Sequence, residues 1–338
     1  MNLKAQEGPK ISGFVQGLYQ ANFDEDFNLN DNTLRMRRVR MSLEGKLTPK
    51  LSYKIQGDFS RSPMLVDAFV KYKACNEFAI QVGQFKTPFT LESPINPVNL
   101  EIFDYGESVQ KLVGYGDVCG VGGLGRDLGI MATGNLFPVE GKDFSLVTYS
   151  LGVFNGNGPT TTDNNNRKDI VGRLEVRPML KDLTLSASYY NGAYLKDELN
   201  QGKRDRWSAG AQYNDGDLLI RAEYLNGTTG YRTVSYNDPE GLTPEYADEV
   251  FHSNGYYAVA GYNFKFGKEG NVQKLMPVLR YEHFTKDASI ENGGTNWYTV
   301  GINYWPVKSL NFKLDYSLVQ KESGTNSHRV VGILSYKF

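Results

Sequence analysis

From residue 310 to 318 the chain reads LNFKLDYSL, and neighbouring residues never share a character. Leu310, Phe312, Leu314, Tyr316 and Leu318 alternate with Asn311, Lys313, Asp315 and Ser317. Successive side chains of an extended chain point to opposite faces, so this pattern calls for a strand set between two unlike environments. The same alternation fills LSYKIQGDFS from Leu51 and runs to the last residue in RVVGILSYKF, which ends on the aromatic Phe338. Further segments of this kind begin near Ile11, Leu34, Leu65, Phe78, Asp127, Phe144, Asp169, Leu183, Arg206, Leu218, Gly255, Leu275 and Asn296. The count is about sixteen, an even number in the range of outer-membrane barrels. With 36 glycines, 22 tyrosines and 18 phenylalanines and no long run of helix formers, the composition agrees with an all-β fold, a single domain over 1–338.

No window approaches the about 18 to 20 consecutive apolar residues that a membrane-spanning helix requires. A closed barrel of alternating strands satisfies its backbone inside lipid without such a window, so the mean hydropathy of −0.45 does not exclude insertion. The first ten residues, MNLKAQEGPK, are too short and polar for the apolar core of a signal peptide, which points to a processed or trimmed exported chain. A net charge of −1 gives no overall attraction to nucleic acid. Cys75 and Cys119 are too few for a disulfide framework and lack metal-ligand spacing, and no EF-hand or HExxH pattern occurs. No cofactor, metal or catalytic residue is expected. His283 near the end of its strand is the nearest thing to a hydrolase base.

The links between candidate strands sort by length. LTPK, ACNE, FPVEGKD, RPMLKD, NDGD, GKEGNVQK and PVKS are tight and turn-like, and between them fall long links at 24–32, 86–125, 155–168, 192–205, 227–254 and 286–295. Membrane barrels sort their connections in this way, with tight periplasmic turns and long external loops. A soluble sandwich has no reason to. The polar faces then become the wall of a lumen, because a charge facing lipid at mid-depth costs about 2 to 4 kcal/mol. Candidate pore-lining residues are Arg38, Arg40, Lys54, Asp58, Lys71, Arg173, Glu175, Arg221, Glu223, Arg280, Glu282, Lys313 and Asp315. Tyr53, Tyr189, Trp207, Tyr213, Tyr224, Tyr304 and Trp305 near strand ends are candidates for an aromatic girdle.

The link 86–125 is too long for a connection without a role. It follows VGQFKTPFTLESP and ends at GLGRDLGIMATG. Gly83, Gln84, Phe85, Lys86, Pro88, Phe89 and Glu92, with Arg126, Asp127, Leu128 and Gly129, make the chain resemble the phosphate- and polyphosphate-selective porins O and P of Gram-negative outer membranes. The resemblance implies a trimeric barrel of sixteen strands in the bacterial outer membrane, surrounded by lipid and placed there by the barrel-insertion machinery. It also implies a third loop folded into the pore and a terminal Phe338 that serves as insertion signal and pairs with the first strand. The constriction loop carries Glu92, Glu101, Asp104 and Glu107, with Asp117, against Lys86 and Lys111. That balance departs from the basic lining of phosphate-selective members, and the expected function is a diffusion channel for small polar or ionic solutes with weak or mixed selectivity that leans, if at all, towards cations. The alternatives are an anion-selective porin and a barrel that acts as a platform for the link 227–254 without an open channel.

Overall fold

A computed structural model describes residues 8–197, 200–235, 245–267 and 272–338. The strands are β1 (Lys10–Phe23), β2 (Leu29–Thr48), β3 (Leu51–Asp58), β4 (Leu65–Lys73), β5 (Ala79–Lys86), β6 (Arg126–Pro138), β7 (Ser145–Phe154), β8 (Asp169–Val176) and β9 (Leu183–Asp197). They continue as β10 (Asn200–Asn214), β11 (Leu218–Ser235), β12 (Glu245–Tyr262), β13 (Phe264–Phe266), β14 (Gln273–Thr285), β15 (Gly294–Val307), β16 (Leu310–Lys321) and β17 (Asn326–Lys337). Both β12 and β13 pair with β14 and only Asn263 separates them, so the described ring has sixteen strands. Every strand pairs antiparallel with its sequence neighbour, and β1 also pairs with β17, which closes the barrel.

Phe338 takes part in that closure. Its N–H donates to Gly13 O at 3.0 Å and its carbonyl accepts from Gly13 N at 2.9 Å. A Cβ on Gly13 would lie 2.5 Å from the Phe338 ring, so only glycine lets the terminal aromatic settle on the first strand. No strand edge is left open at the seam.

The barrel is polar inside and apolar outside. Along β16, Lys313 and Asp315 are 4% and 1% exposed, whereas Phe312 and Leu314 are 45% and 55% exposed. Arg221 is likewise buried while Ile220 is exposed, and Tyr189, Trp207 and Tyr224 lie on the outer surface. A water-soluble sheet would reverse this order, so the belt fits a hydrocarbon surround. No described helix is long and apolar enough to cross a membrane.

Two expected links are largely strand. β9 continues to Asp197 and β10 resumes at Asn200, and β11 continues to Ser235 with β12 resuming at Glu245, so 192–205 and 227–254 are paired hairpin arms. Their connecting residues 198–199 and 236–244 lie outside the described residues, as do 268–271 of the expected turn GKEGNVQK and 1–7 of the N-terminal segment. The link 24–32 shrinks in the same way, since β2 begins at Leu29. Where both faces of a strand meet water, neither needs to be apolar, and the alternation that marks a strand disappears from the sequence. The links 87–125 and 155–168 do remain long, opposite the tight turns at 49–50 and 215–217. Cys75 is free and exposed at the tight-turn end, and Cys119 is free within the link 87–125.

Candidate pore constriction

β5 lies close against β4 where Gly83 faces Phe69. Gly83 has φ of 132°, and a Cβ there would stand 2.2 Å from Ala68 O. No other residue adopts this conformation or fits the space without strain. Beyond β5 the two ends of the loop are held together, since Thr87 N donates to Gly125 O at 3.0 Å. The segment between them therefore projects into the barrel, carrying a 3-10 turn (Pro97–Asn99) and a short helix, α1 (Glu107–Val113), that ends at the left-handed Gly114.

Inside the barrel the loop meets an apolar core. Phe89, Leu100, Ile102, Val109 and Leu112 of the loop pack with Phe85, Phe154, Tyr190, Leu225 and Tyr257 of the wall, and Phe89 and Leu225 are fully buried. Each such side chain contributes about 1.5 to 3 kcal/mol through burial. The lumen is therefore not lined by polar groups throughout, which the alternation alone suggests.

Four acids of the loop, Glu92, Glu101, Asp104 and Asp117, face the wall and not the open space. Glu92 accepts from Arg280 at 2.6 Å and from Arg221 at 3.3 Å, and its second oxygen accepts from Gly106 N at 2.7 Å. Glu101 accepts from Arg221 at 2.7 Å, and Asp104 pairs with both Arg37 and Arg38. Asp117 lies 2.8 Å from Arg204 and 3.4 Å from Arg206. Burial opposes ionisation of Glu101 and Asp117, but the guanidinium of Arg221 for the first, and those of Arg204 and Arg206 for the second, hold both carboxyls below the usual range. Glu107 pairs with Lys111 along α1 at 3.5 Å, an exposed pair worth little.

Wall residues complete the attachment through the loop backbone. Glu223 accepts from Leu91 N at 2.9 Å and Glu282 from Glu107 N at 2.7 Å. Lys313 donates to Leu100 O and to Ile102 O, and Arg173 donates to Thr90 O at 2.9 Å. Asp315 is buried on the same inward face as Lys313. Of the sequence candidates, Arg38, Arg173, Arg221, Glu223, Arg280, Glu282 and Lys313 thus meet the loop itself. Glu175 pairs with Arg173 at 3.3 Å, and Lys71 is half-buried on β4.

The opposite side of the loop stands clear of the wall. A gap of about 250 Å³ separates Pro94, Asn96 and Pro97 of the loop from β2 to β6. The wall there presents Arg40, Lys54, Lys86 and Arg126 with Asp67, Gln56 and Gln81, and the apolar Phe69, Phe85 and Met131. Three of the cations have carboxylate partners: Arg40 with Asp58 at 2.9 Å, Arg126 with Asp67 at 2.7 Å, and Lys54 with Glu44 at 2.9 Å. Lys86 instead donates to neutral oxygens, Ile95 O and the Tyr105 hydroxyl at 2.9 Å and Ser93 O. The other motif residues support the same corner. Asp127 accepts from Gly156 N, while Gly129 admits the Phe154 ring, its Cβ position lying 2.4 Å away. Pro88 lies in the buried stretch next to Phe89.

Three site residues do not follow from simple alternation. Gln16 pairs with Arg38 and Gly17 with Met36, leaving Arg37 as the extra residue of a bulge. Arg37 and Arg38 consequently both reach Asp104. The signal is present in LRMRRVRM, where the apolar positions 34 and 36 slip by one to 39 and 41. Arg204 and Arg206 share a face of β10, but nothing local ties them to Asp117. His283 has its ring nitrogens engaged by Asn296 at 3.0 Å and Thr285 at 2.9 Å.

Known proteins share this architecture. The family described as phosphate-selective porin O and P matches residues 10–336. The outer membrane porin PhoE of Klebsiella oxytoca is 25% identical over 258 residues, 63% of this chain and 68% of that protein. PhoE of Klebsiella pneumoniae is 26% identical over 261 residues, 68% of this chain and 71% of its own length. Among solved structures, an anion-selective porin from Comamonas acidovorans superposes with a TM-score of 0.67 at 14% identity, covering 98% of this chain and 99% of its own. The matched span takes in the first strand, the inward loop and the closing strand, and the chain belongs to the family of phosphate-selective porins O and P, as an outer-membrane diffusion porin.

Proposed function

We propose that solutes cross this porin through the gap between Pro94–Pro97 and the wall of β2 to β6, with a weak preference for anions. The observation that carries this reading is Lys86, whose ammonium has only neutral oxygens as partners in a gap where the other cations are paired. Paired charges cancel at the scale of a hydrated ion, and the surplus cation sets the sign of the field. The candidate lining then divides into two roles. Arg40, held by Asp58, and Lys54 face the passage, whereas Arg38, Arg173, Arg221, Glu223, Arg280, Glu282 and Lys313 hold the loop that defines it. The solved porin from Comamonas acidovorans is itself anion-selective, in keeping with this direction.

Reversal potentials in a potassium chloride gradient test the reading. Modest chloride preference is expected, together with a shift towards potassium in Lys86→Gln. Strong cation preference in the unaltered protein would sink it.

The same reading includes a homotrimer in lipid, supported by a solved relative in fold, OmpT of Vibrio cholerae, in a trimer form with a TM-score of 0.60. It also includes Phe338 as the residue that the insertion machinery reads, supported by the exposure of its ring on the outer surface. Light scattering of the detergent-purified protein tests the first, and the folded yield of Phe338→Ser in membranes tests the second.

A further inference from the structure

The gap is not uniformly polar. Phe69 and Met131, both half-buried, stand in its wall beside Lys86 and Arg126, and Pro94 faces them from the loop. Phe69 is not free to turn away. Its ring meets Phe85 edge-on at 5.9 Å, and Phe85 meets Phe154 at 5.5 Å, so the apolar ledge is anchored in the core beneath it.

A hydrated inorganic ion gains nothing from such a ledge, which displaces water without offering a hydrogen bond. A solute with a flat apolar body and one carboxylate can lay the body against Phe69 and Met131 while its charge stays near Lys86. The volume of about 250 Å³ lies below the range of about 300 to 1,000 Å³ usual for sites of drug-sized ligands, which limits the body to about one ring.

Building on the anion passage proposed above, we infer that the constriction favours small aromatic carboxylates over inorganic phosphate and over short aliphatic acids. Phe69 and Met131 are the residues that confer this preference, through contact with the apolar body of the solute.

The test uses the purified protein in planar bilayers, with benzoate, acetate or phosphate added to one side in potassium chloride and the interruption of chloride current recorded. Benzoate is expected to interrupt the current at concentrations roughly three- to tenfold lower than acetate or phosphate. Phe69→Ser should bring benzoate to the level of acetate measured in the same variant. Met131→Ser serves as a second variant, with a smaller loss in the same direction. Phosphate acting at or below the benzoate concentration, or variants that leave the ratio of benzoate to acetate intact, would overturn this inference alone. A protein that passes no current, or prefers potassium, would overturn the anion passage and this inference with it.

Discussion

Glu92 and Arg280 are 188 positions apart in the chain, yet their side chains meet at 2.6 Å with neither exposed. The contact joins the constriction loop to the far wall. Arg221 shares the same carboxylate, so removing its charge leaves two buried guanidinium groups with less compensation. Losing one partner of such a pair costs about 3 to 5 kcal/mol, more than the exposed Glu107–Lys111 pair could. Glu92→Gln is therefore expected to loosen the loop. Single-channel recordings should show larger and noisier openings, and trypsin should cut at Lys111 in the intact barrel. Quiet openings of unchanged size would mean that the apolar core alone holds the loop.

This relationship also explains why the sign of the constriction was not legible. Counting charges between Lys86 and Gly125 gives an acidic loop, but which way an acid faces is decided by partners brought in from β2, β10, β11 and β14. On the count alone, replacing Glu101, Asp104 and Glu107 with glutamine moves selectivity towards anions. The geometry gives the same direction for a different reason, since Glu101 and Asp104 are engaged by Arg221, Arg37 and Arg38, and neutralising them leaves those guanidinium groups as surplus cations. Reversal potentials of that triple variant should move towards anions while conductance noise rises. Unchanged reversal potentials would show that these guanidinium groups do not act on the passing ions.

The faces of the strands were legible for a simple reason. Lys313 and Leu314 sit between water and hydrocarbon, and a chain in that position must alternate. The outer arms of β9 to β12 turn part of their inner faces to the loop, as at Ala193, Arg204 and Thr229, and carry no such signal. The apolar core around Phe89 and Leu112 was hidden too, because it exists only once the loop has folded inward.

Acid should release the loop by the same ion pairs. Glu101 and Asp117 are held below the usual carboxyl range, so the folded loop binds their protons more weakly than an unfolded one. Their contribution is complete above the ordinary carboxyl values of about 4 and is lost as the pH falls through the lower folded values. These two anchors are expected to be intact at about pH 5, and conductance is expected to become unstable below about pH 4. Instability that begins near neutrality would point to other groups.

Arg37 offers a test of the bulge in β2. Its side chain is 8% exposed and pairs with Asp104, whereas strict alternation would turn it to lipid. Arg37→Ala removes one of two guanidinium partners from Asp104 and leaves Arg38 in place. A modest effect is expected, with the barrel still folding and the loop near Phe103 and Asp104 more open to proteolysis. Equal protease resistance in the variant and the parent would show that Arg38 alone secures this end.

The close approach of β5 to β4, just before the loop, depends on Gly83. An alanine there must adopt φ near 132° and place its Cβ 2.2 Å from Ala68 O, or else shift β5 away from β4. Such strain costs about 1 to 3 kcal/mol before any clash is relieved. Because Phe85 and Lys86 follow at once, a displaced β5 carries away the surplus cation and the ring that anchors Phe69. Gly83→Ala is expected to unfold at lower temperature in detergent, followed by the loss of heat-modifiable mobility on gels, and to lose part of its anion preference in the same preparation. Full stability and unchanged selectivity would show that β5 tolerates a side chain at this position and that the backbone there does not set the geometry of the passage.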